Sequence, residues 1–314
     1  MTLVGVLLAA ELAVGIGGRD LTAAALASAR PVECRPSARE GAAFWLRARS
    51  PELGRYCDLL GRGYSRLGSD PKGALEAARA AERVWPGRSA TSLLGGRAQL
   101  ELGDAEGAWR EFEQAESRDP RALVDPAALR DVGLAALATG RRDRARGAFR
   151  KLVPRASLLE SQAERQRVYL EAAMLAMGDG SDGLGEAIGL LTTARREPAP
   201  PGFSRLLVAA LALALDRRGQ VERARTLVAE VEGPEAFERW VRAAGRPRPA
   251  HPDLRLVLPP GELEALRAIA AERTEPERAL EEWRASIAQA PAAPWVAHAR
   301  AKVAALSAKS GARR

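Results

Sequence analysis

Small and apolar residues recur at fixed spacings along much of the chain. In two successive copies, the steps between the marker positions are seven, five and four residues. Apolar residues between the markers return every three or four positions, which predicts amphipathic helices, and the glycine after the first step predicts a turn. Each copy therefore predicts two helices joined by a short turn. The markers are Gly96, Gly103, Ala108 and Phe112, and then Gly133, Gly140, Ala145 and Phe149.

Each marker has a physical role in such a helix pair. A small residue on the first helix lets the second helix approach closely, and an alanine on the second helix lies at the crossing. The glycine between the helices is expected to take a positive φ, which a residue without a Cβ adopts at little cost. A large residue four positions later fills the next gap, and a proline ends the second helix. The predicted turn glycines are Gly68, Gly103, Gly140, Gly178 and Gly219.

These positions resemble the signature of the tetratricopeptide repeat (TPR) family, which extends over about 34 residues. The resemblance covers residues 55–292 and implies an all-α fold, a right-handed α-α superhelix of the TPR-like solenoid kind. The last three copies lack the glycine of the first helix, and they fit the paired helices of a generic α-solenoid equally well. The match is carried by Leu60, Gly61 and Tyr64, and by Gly96, Gly103, Ala108, Phe112, Ala115 and Pro120.

The copies define the predicted domain organisation. Residues 30–53 are expected to provide a leading helix at 38–49, and repeats 1–5 occupy residues 54–244. A Pro- and Arg-rich linker at 245–259 is expected to separate them from residues 260–314, which hold repeat 6, a capping helix and a basic tail. The six copies span 54–88, 89–122, 126–159, 164–198, 203–236 and 260–292.

The capping helix is predicted at residues 293–308. Its apolar stripe would cover the last repeat while its basic residues face solvent, as a terminal repeat requires. The stripe consists of Val296, Ala299, Val303 and Leu306, and the solvent-facing residues are Arg300, Lys302 and Lys309.

Residues 1–29 begin with an apolar run from Leu3 to Ile16 that contains one charge, Glu11. The run is shorter than the roughly 20 residues of a transmembrane helix. It resembles the core of a secretory signal peptide, with small residues at 25–29 for cleavage but without preceding basic residues. We therefore expect a periplasmic or otherwise exported protein. The alternatives are an inner-membrane anchor and an ordinary buried helix in a cytoplasmic protein.

Composition limits the chemistry. The chain of 314 residues has 48 basic and 40 acidic residues, a net charge of +8 and only 4% aromatic residues. Arginine far outnumbers lysine and asparagine does not occur, which is typical of a GC-rich bacterial genome. Two cysteines and two histidines provide no zinc site and no Cys/His catalytic centre. We therefore predict no enzymatic activity, no cofactor and no metal site.

Three other features have ordinary structural interpretations. Asp179–Gly183 (DGSDG) lacks the ligand spacing of a calcium loop and is predicted to be a turn. The run Leu206–Leu215 is too short to cross a membrane and is predicted to be the buried first helix of a repeat. The six tryptophans are expected to pack in the core rather than to stack on bases, with Trp283 at a repeat packing position.

The TPR resemblance also implies a binding surface, because first helices in that family line a groove that holds a segment of a partner. The corresponding positions combine basic residues with apolar strips, which suits an acidic or amphipathic segment with leucine-type anchors. The alternative is that these arginines are solvated or paired with neighbours such as Glu101. The predicted groove residues are Arg55, Asp58, Arg62, Arg66, Leu93, Arg97, Leu100, Arg130, Leu134, Leu137, Arg165 and Val168.

The sequence thus predicts a non-enzymatic TPR-like scaffold or adaptor that binds a protein segment in this groove, in the bacterial envelope. The alternative is a binder of a polyanion, either nucleic acid or an acidic polysaccharide, although interleaved glutamates make nucleic acid the less favoured partner. Membrane contact is expected only through an uncleaved N-terminal segment. Charge reversal at Arg62 and Arg97 is expected to weaken binding without unfolding. Cys34 and Cys57 either form a disulfide in an oxidising compartment or remain separate buried thiols.

Overall fold

The computed structural model describes Cys34 and residues 51–159, 161–198, 201–232 and 261–311. Every regular element in these ranges is helical, which confirms the predicted all-α fold. The ranges contain thirteen α-helices, α1 to α13, and one 3-10 helix at Val153–Leu158. The predicted N-terminal segment at 1–29, the leading helix at 38–49 and the linker at 245–259 lie outside the described residues.

The chain divides into two compact units, and the division falls between residues 160 and 161. It lies between the predicted third and fourth copies. The helices of the N-terminal unit are α1 (Pro51–Arg66), α2 (Pro71–Val84), α3 (Ser89–Glu101), α4 (Ala105–Arg118), α5 (Pro126–Ala138) and α6 (Arg142–Leu152). Those of the C-terminal unit are α7 (Gln162–Met177), α8 (Ser181–Ala194), α9 (Pro201–Arg217), α10 (Val221–Glu232), α11 (Glu262–Ala271), α12 (Pro276–Gln289) and α13 (Val296–Gly311).

Consecutive helices pack against each other as pairs in both units. In the N-terminal unit the pairs are α1/α2, α3/α4 and α5/α6, and α3 contacts both α1 and α5. The first helices therefore form one surface, which we call the first-helix face. Helices α2, α4 and α6 form the second-helix face. The predicted repeat of helix pairs is thus confirmed.

Two glycines provide the predicted close approach between helices. A Cβ at Gly96 would lie 2.7 Å from Cε1 of Phe112, and one at Gly133 would lie 2.8 Å from Cζ of Phe149. In the first pair the repeat signature places the small residue of the first helix at Gly61, and this prediction is wrong by two residues. The close approach occurs at Gly63, where a Cβ would lie 3.3 Å from Ala77 Cβ of α2 and 2.5 Å from Leu94 Cδ2 of α3, whereas Gly61 faces open space.

Positive φ is confirmed at three of the predicted turn glycines, Gly103 (87°), Gly140 (75°) and Gly219 (77°). It is not found at Gly68 or Gly178. In the fourth pair the backbone reverses at Gly180, with φ of 73°, because Gly178 still has helical φ at the end of α7. The first turn contains one extra residue and closes without a positive φ.

Aspartates cap the N-termini of two second helices, α2 and α4. The carboxylate of Asp70 accepts a hydrogen bond from Gly73 N at 2.9 Å, and that of Asp104 accepts one from Gly107 N at 2.9 Å. Asp125 caps the first helix α5 in the same way. Each such cap contributes about 1 kcal/mol, because it pairs a backbone N–H that the first turn leaves without a partner.

Helix α13 forms the predicted C-terminal cap with one difference. Val296, Ala299 and Leu306 are buried and Arg300 is exposed, as predicted. Lys302 was expected in solvent, but its side chain is only 15% exposed because it pairs with buried carboxylates. The structure does not describe the side chain of Lys309.

The core of the C-terminal unit is centred on α9. All ten residues from Leu206 to Leu215 are buried, as predicted for the first helix of a repeat. Trp283 of α12 is 2% exposed and packs in this core, which confirms its predicted packing position. Among the described helices, none is long and apolar enough to cross a membrane.

Candidate protein-binding surface

The first-helix face begins with a row of charged residues on α1. Arg55, Asp58, Arg62 and Arg66 are three or four residues apart, so they share one side of the helix. All four are exposed. Within α1, Arg62 Nε donates a hydrogen bond to the Asp58 carbonyl oxygen at 3.4 Å. The row therefore presents three guanidinium groups beside one carboxylate to solvent.

Further along the same face, the predicted groove arginines are held in a buried ionic network. Arg97 of α3 donates from Nε to Asp131 Oδ2 of α5 at 2.6 Å. Arg130 donates to the other carboxylate oxygen of Asp131 from Nε at 2.9 Å and from Nη2 at 2.7 Å. The Arg97 guanidinium also lies 5.9 Å from the ring centroid of Tyr64 on α1. This network joins the three first helices, so Arg97 and Arg130 have a structural role here.

Burial and the neighbouring charges shift the pKa values of this network. Burial alone would raise the pKa of Asp131, but the guanidinium groups of Arg130 and Arg97 outweigh it and hold the pKa below its usual value. Burial alone would lower the pKa of Arg97, and the Asp131 carboxylate raises it instead. Burial raises the pKa of Tyr64, although Arg97 opposes the shift. Arg97 and Asp131 are therefore both charged at neutral pH.

The predicted apolar groove residues divide by exposure. Leu93 and Leu137 are half-buried, whereas Leu100 and Leu134 are buried within the helix packing. Buried side chains stabilise the unit and offer no contact area. The face therefore combines the α1 row with a small half-exposed apolar part.

Two predicted groove residues, Arg165 and Val168, lie on α7 in the C-terminal unit. Val168 is buried, and Arg165 Nη2 donates to Glu197 Oε2 at 3.1 Å within that unit. They are thus engaged inside their own unit.

A second polar cluster, which sequence reasoning missed, joins α2, α3 and α4. Arg118 binds both carboxylate oxygens of Glu82, at 2.8 and 3.0 Å, and donates to the Arg88 carbonyl and the Ser92 hydroxyl. Glu82 also accepts from Gly87 N and from the Thr91 hydroxyl. Although its partial burial favours the neutral form, these hydrogen bonds hold the pKa of Glu82 below its usual value. The cluster fastens one helix pair to the next.

The C-terminal unit contains a more deeply buried charge cluster. Asp216 of α9 lies 2.6 Å from His298 Nε2 and 2.7 Å from Lys302 Nζ. Lys302 also reaches Glu272 at 3.0 Å, and Trp283 Nε1 donates to the same carboxylate. Burial would raise the pKa of Asp216, but its hydrogen bond with His298 and the charge of Lys302 lower it. These contacts connect α9 with α12 and α13.

Beside it, Arg217 forms a two-pronged pair with Glu262 at the start of α11. The Arg217 side chain is 5% exposed and that of Glu262 is 0% exposed. The guanidinium carbon lies 4.3 Å from the Trp295 ring centroid. This pair fixes α11 to the end of α9.

One sequence signal could have found these clusters. Asp131 interrupts the apolar helix α5, and Asp216 follows directly on the apolar run of α9. A carboxylate in such a setting requires a cation nearby, since an unpaired buried charge is strongly disfavoured. The spacing pattern alone does not reveal which cation approaches.

A disulfide joins Cys34 to Cys57 of α1, with Cα atoms 5.4 Å apart. Both residues pack against the core of the first helix pair, which includes Tyr56 and Leu60. The disulfide therefore holds Cys34 beside α1.

The described residues contain no group of three or more His, Cys, Asp or Glu side chains that could hold a metal ion. The charged clusters above are paired internally, and they bind helices together. The chemistry that this arrangement offers is charge-assisted hydrogen bonding at exposed guanidinium groups.

No protein-family model matches the sequence, and no curated protein sequence matches it. Solved structures with some similarity include a chain of the Naa15/Naa10 complex bound to HypK-THB and the TPR domain of P58(IPK). The first aligns with 14% identity and a TM-score of 0.34 over 85% of this chain. The second aligns with 13% identity and a TM-score of 0.37 over 98% of this chain and 78% of that one. This chain spans 36% of the length of the first. Superpositions this loose define neither a family nor a function.

Proposed function

We propose that the protein is a non-catalytic helical-repeat scaffold that binds an acidic segment of a protein partner on the first-helix face of the N-terminal unit. The observation that carries the proposal is the exposed row Arg55, Arg62 and Arg66 on α1. Guanidinium groups bind carboxylates through paired, charge-assisted hydrogen bonds, and three in a row suit an acidic segment lying along the helix.

The half-buried leucines of the first-helix face give such a segment an apolar contact. Exposed ion pairs contribute only about 0.2–1 kcal/mol each, so an acidic segment needs apolar anchors as well. Leu93 and Leu137 supply them on α3 and α5. The buried Arg97–Asp131–Arg130 network keeps these first helices in fixed positions before the partner arrives, which reduces the ordering cost of binding.

We further propose that the protein works in the bacterial envelope. The apolar run at residues 3–16 supports this, since it resembles a signal peptide. The Cys34–Cys57 disulfide supports it as well, because disulfides persist mainly in oxidising compartments.

The test is affinity capture from the native host with two matched variants. Arg55→Glu/Arg62→Glu/Arg66→Glu reverses the α1 row, and Arg79→Glu/Arg83→Glu/Arg110→Glu reverses three exposed arginines on the second-helix face. Quantitative mass spectrometry is expected to show one partner lost only with the α1 variant. Equal capture by wild type and both variants would contradict the proposed binding surface.

Arg97 is unsuitable for this test. Its replacement by Glu would place two carboxylates, at positions 97 and 131, where the side chains are 14% and 7% exposed. Loss of binding would then follow from unfolding, because an uncompensated buried charge costs several kcal/mol, about 3–5 in typical cases. The thermal midpoints of the variants should therefore be measured beside capture.

A further inference from the structure

The second-helix face changes its charge between α4 and α6. Helix α4 carries four glutamates and two arginines. Helix α6 and the 3-10 helix that follows it carry six basic residues and one aspartate. The basic excess is therefore local and does not simply reflect the arginine-rich composition.

Part of this positive charge is unpaired. Arg144 pairs with Glu116 of α4, and Arg146 approaches Asp143 at 3.5 Å. Arg142, Arg150 and Lys151 are exposed, and among the residues the structure describes none has an acidic side chain within ion-pair distance. Three exposed cations of α6 are thus without an acidic partner among the described residues.

Two exposed aliphatic side chains belong to segments that meet the C-terminal end of α6. Leu158, at the end of the 3-10 helix, is 67% exposed, and Val124, just before α5, is 51% exposed. Arg155 connects this area, because it donates to the Val124 carbonyl at 3.1 Å and to the Lys151 carbonyl at 3.2 Å. We call Arg142, Arg150, Lys151, Arg155, Leu158 and Val124 the basic-aliphatic patch.

Cations next to exposed aliphatic groups match the chemistry of an anionic bilayer surface. The cations meet the headgroup charges, while the aliphatic groups enter the interface. A single-stranded nucleic acid would instead favour exposed aromatic rings for base stacking. The aromatic residue of α6, Phe149, is 1% exposed and is not available for that.

We propose that the basic-aliphatic patch docks the N-terminal unit on an anionic lipid surface. The patch consists of residues of α6, the 3-10 helix and the segment before α5, and it shares no residue with the α1 row, so the two proposed contacts can be tested separately. Docking needs no membrane-spanning helix. It brings a protein bound on the first-helix face to the membrane.

Vesicle co-sedimentation of the full chain tests the proposal, with phosphatidylcholine vesicles compared with vesicles that contain about 30% phosphatidylserine. Arg142→Gln/Arg150→Gln/Lys151→Gln removes three patch charges. Arg55→Gln/Arg62→Gln/Arg66→Gln removes the same number from α1. Any contribution from the apolar run at 3–16 is the same in the wild type and in both variants, so it cancels in the comparison.

The patch variant is expected to lose the preference for anionic vesicles, by about a hundredfold, since each basic residue near such a surface contributes roughly fivefold. The α1 variant should partition like wild type. Leu158→Ser should weaken binding by a factor that stays the same when salt is raised, since salt screens only the electrostatic part.

Two results would overturn the proposal. One is a wild type without preference for anionic vesicles, and the other is an equal loss in both triple variants, which would indicate net charge alone. A fluorescent single-stranded oligonucleotide is titrated in parallel. Binding that depends on the patch, without vesicle preference, would assign the patch to nucleic acid instead.

Discussion

In the N-terminal unit, α3 and α5 approach their partner helices through Gly96 and Gly133, which face the rings of Phe112 and Phe149. In the C-terminal unit, the central first helix α9 has no such glycine in its buried stretch and presents ten consecutive buried apolar residues. Its packing relies on aliphatic bulk, and buried ion pairs fix the register of the helices around it. The Arg217–Glu262 pair is one of them.

The difference shows that one architecture can be specified in two ways. Spacing of small and large residues defines helix pairs through shape, and it leaves a recognisable sequence pattern. Apolar bulk is less specific about register, and a few buried ion pairs supply orientation, although each is costly to break. The helices around α9 should therefore respond most strongly to single charge changes. The N-terminal unit should respond to changes in volume at its glycines as well as to charge changes in its Arg97–Asp131–Arg130 network.

The largest expected effect comes from Arg217→Ala, which leaves the Glu262 carboxylate buried without its partner. We expect a loss of about 3–5 kcal/mol in the free energy of unfolding. Hydrogen exchange followed by mass spectrometry should show faster exchange in α9 to α13. Arg218→Ala at the exposed neighbouring position is the control and should stay within about 0.5 kcal/mol of wild type. Equal exchange in the two variants would refute the role given to the buried pair.

The next effect concerns Glu171 of α7. Burial raises its pKa to about 7, although Arg167 at 3.7 Å opposes the shift. The unfolded carboxyl group releases its proton at lower pH, so the folded protein loses stability as the pH rises from 4.5 to about 7. Glu171→Gln removes this dependence, and it should raise the stability at pH 8 by up to about 3 kcal/mol and change little near pH 5.

Thermal midpoints at the two pH values measure this prediction, with exposed Glu186→Gln as the control. Glu82 in the N-terminal unit should change stability with pH in the opposite direction. Its pKa is lowered, so its contribution is present above the pKa of the unfolded group and is lost as the pH falls. A Glu171→Gln variant that gains nothing at pH 8 would contradict the assignment of a strained buried carboxyl group.

The smallest effect tests the shape-based packing of the N-terminal unit. Gly96→Ala would place its Cβ against the buried Phe112 ring and should cost about 1–3 kcal/mol by overpacking. Gly61→Ala, in open space inside α1, should stabilise by about 0.5–1 kcal/mol, because alanine favours helix. Urea unfolding midpoints measure both variants. A rise in the urea midpoint of Gly96→Ala equal to that of Gly61→Ala would show that the close approach at Gly96 does not constrain the packing.

The sequence predicted the helix pairs and three turn glycines, since these depend on local periodicity and backbone conformation. It failed where the answer depends on the neighbouring helix. Gly63 rather than Gly61 faces α2 and α3, and the local spacing pattern does not distinguish the two glycines. Lys302 was placed in solvent because its partners Asp216 and Glu272 lie far away in sequence.

The candidate surface was predicted only in part, for the same reason. A helical spacing places Arg62 and Arg97 at equivalent positions of their helices, yet Arg62 is exposed and Arg97 is paired with Asp131. Whether a guanidinium is available to a partner depends on the carboxylates of the next helix. Asp131 was visible as an isolated charge in an apolar helix, but its pairing required the three-dimensional arrangement.

Site-specific photo-crosslinking in the native host tests the binding surface most directly. A photoreactive amino acid is introduced at Arg62 on α1 and, as the matched control, at Arg79 on α2, both of which are exposed. We expect a crosslinked protein with an acidic segment at position 62 and none of that mass at position 79. The same adduct at both positions, or at position 79 alone, would contradict the first-helix face as the binding surface.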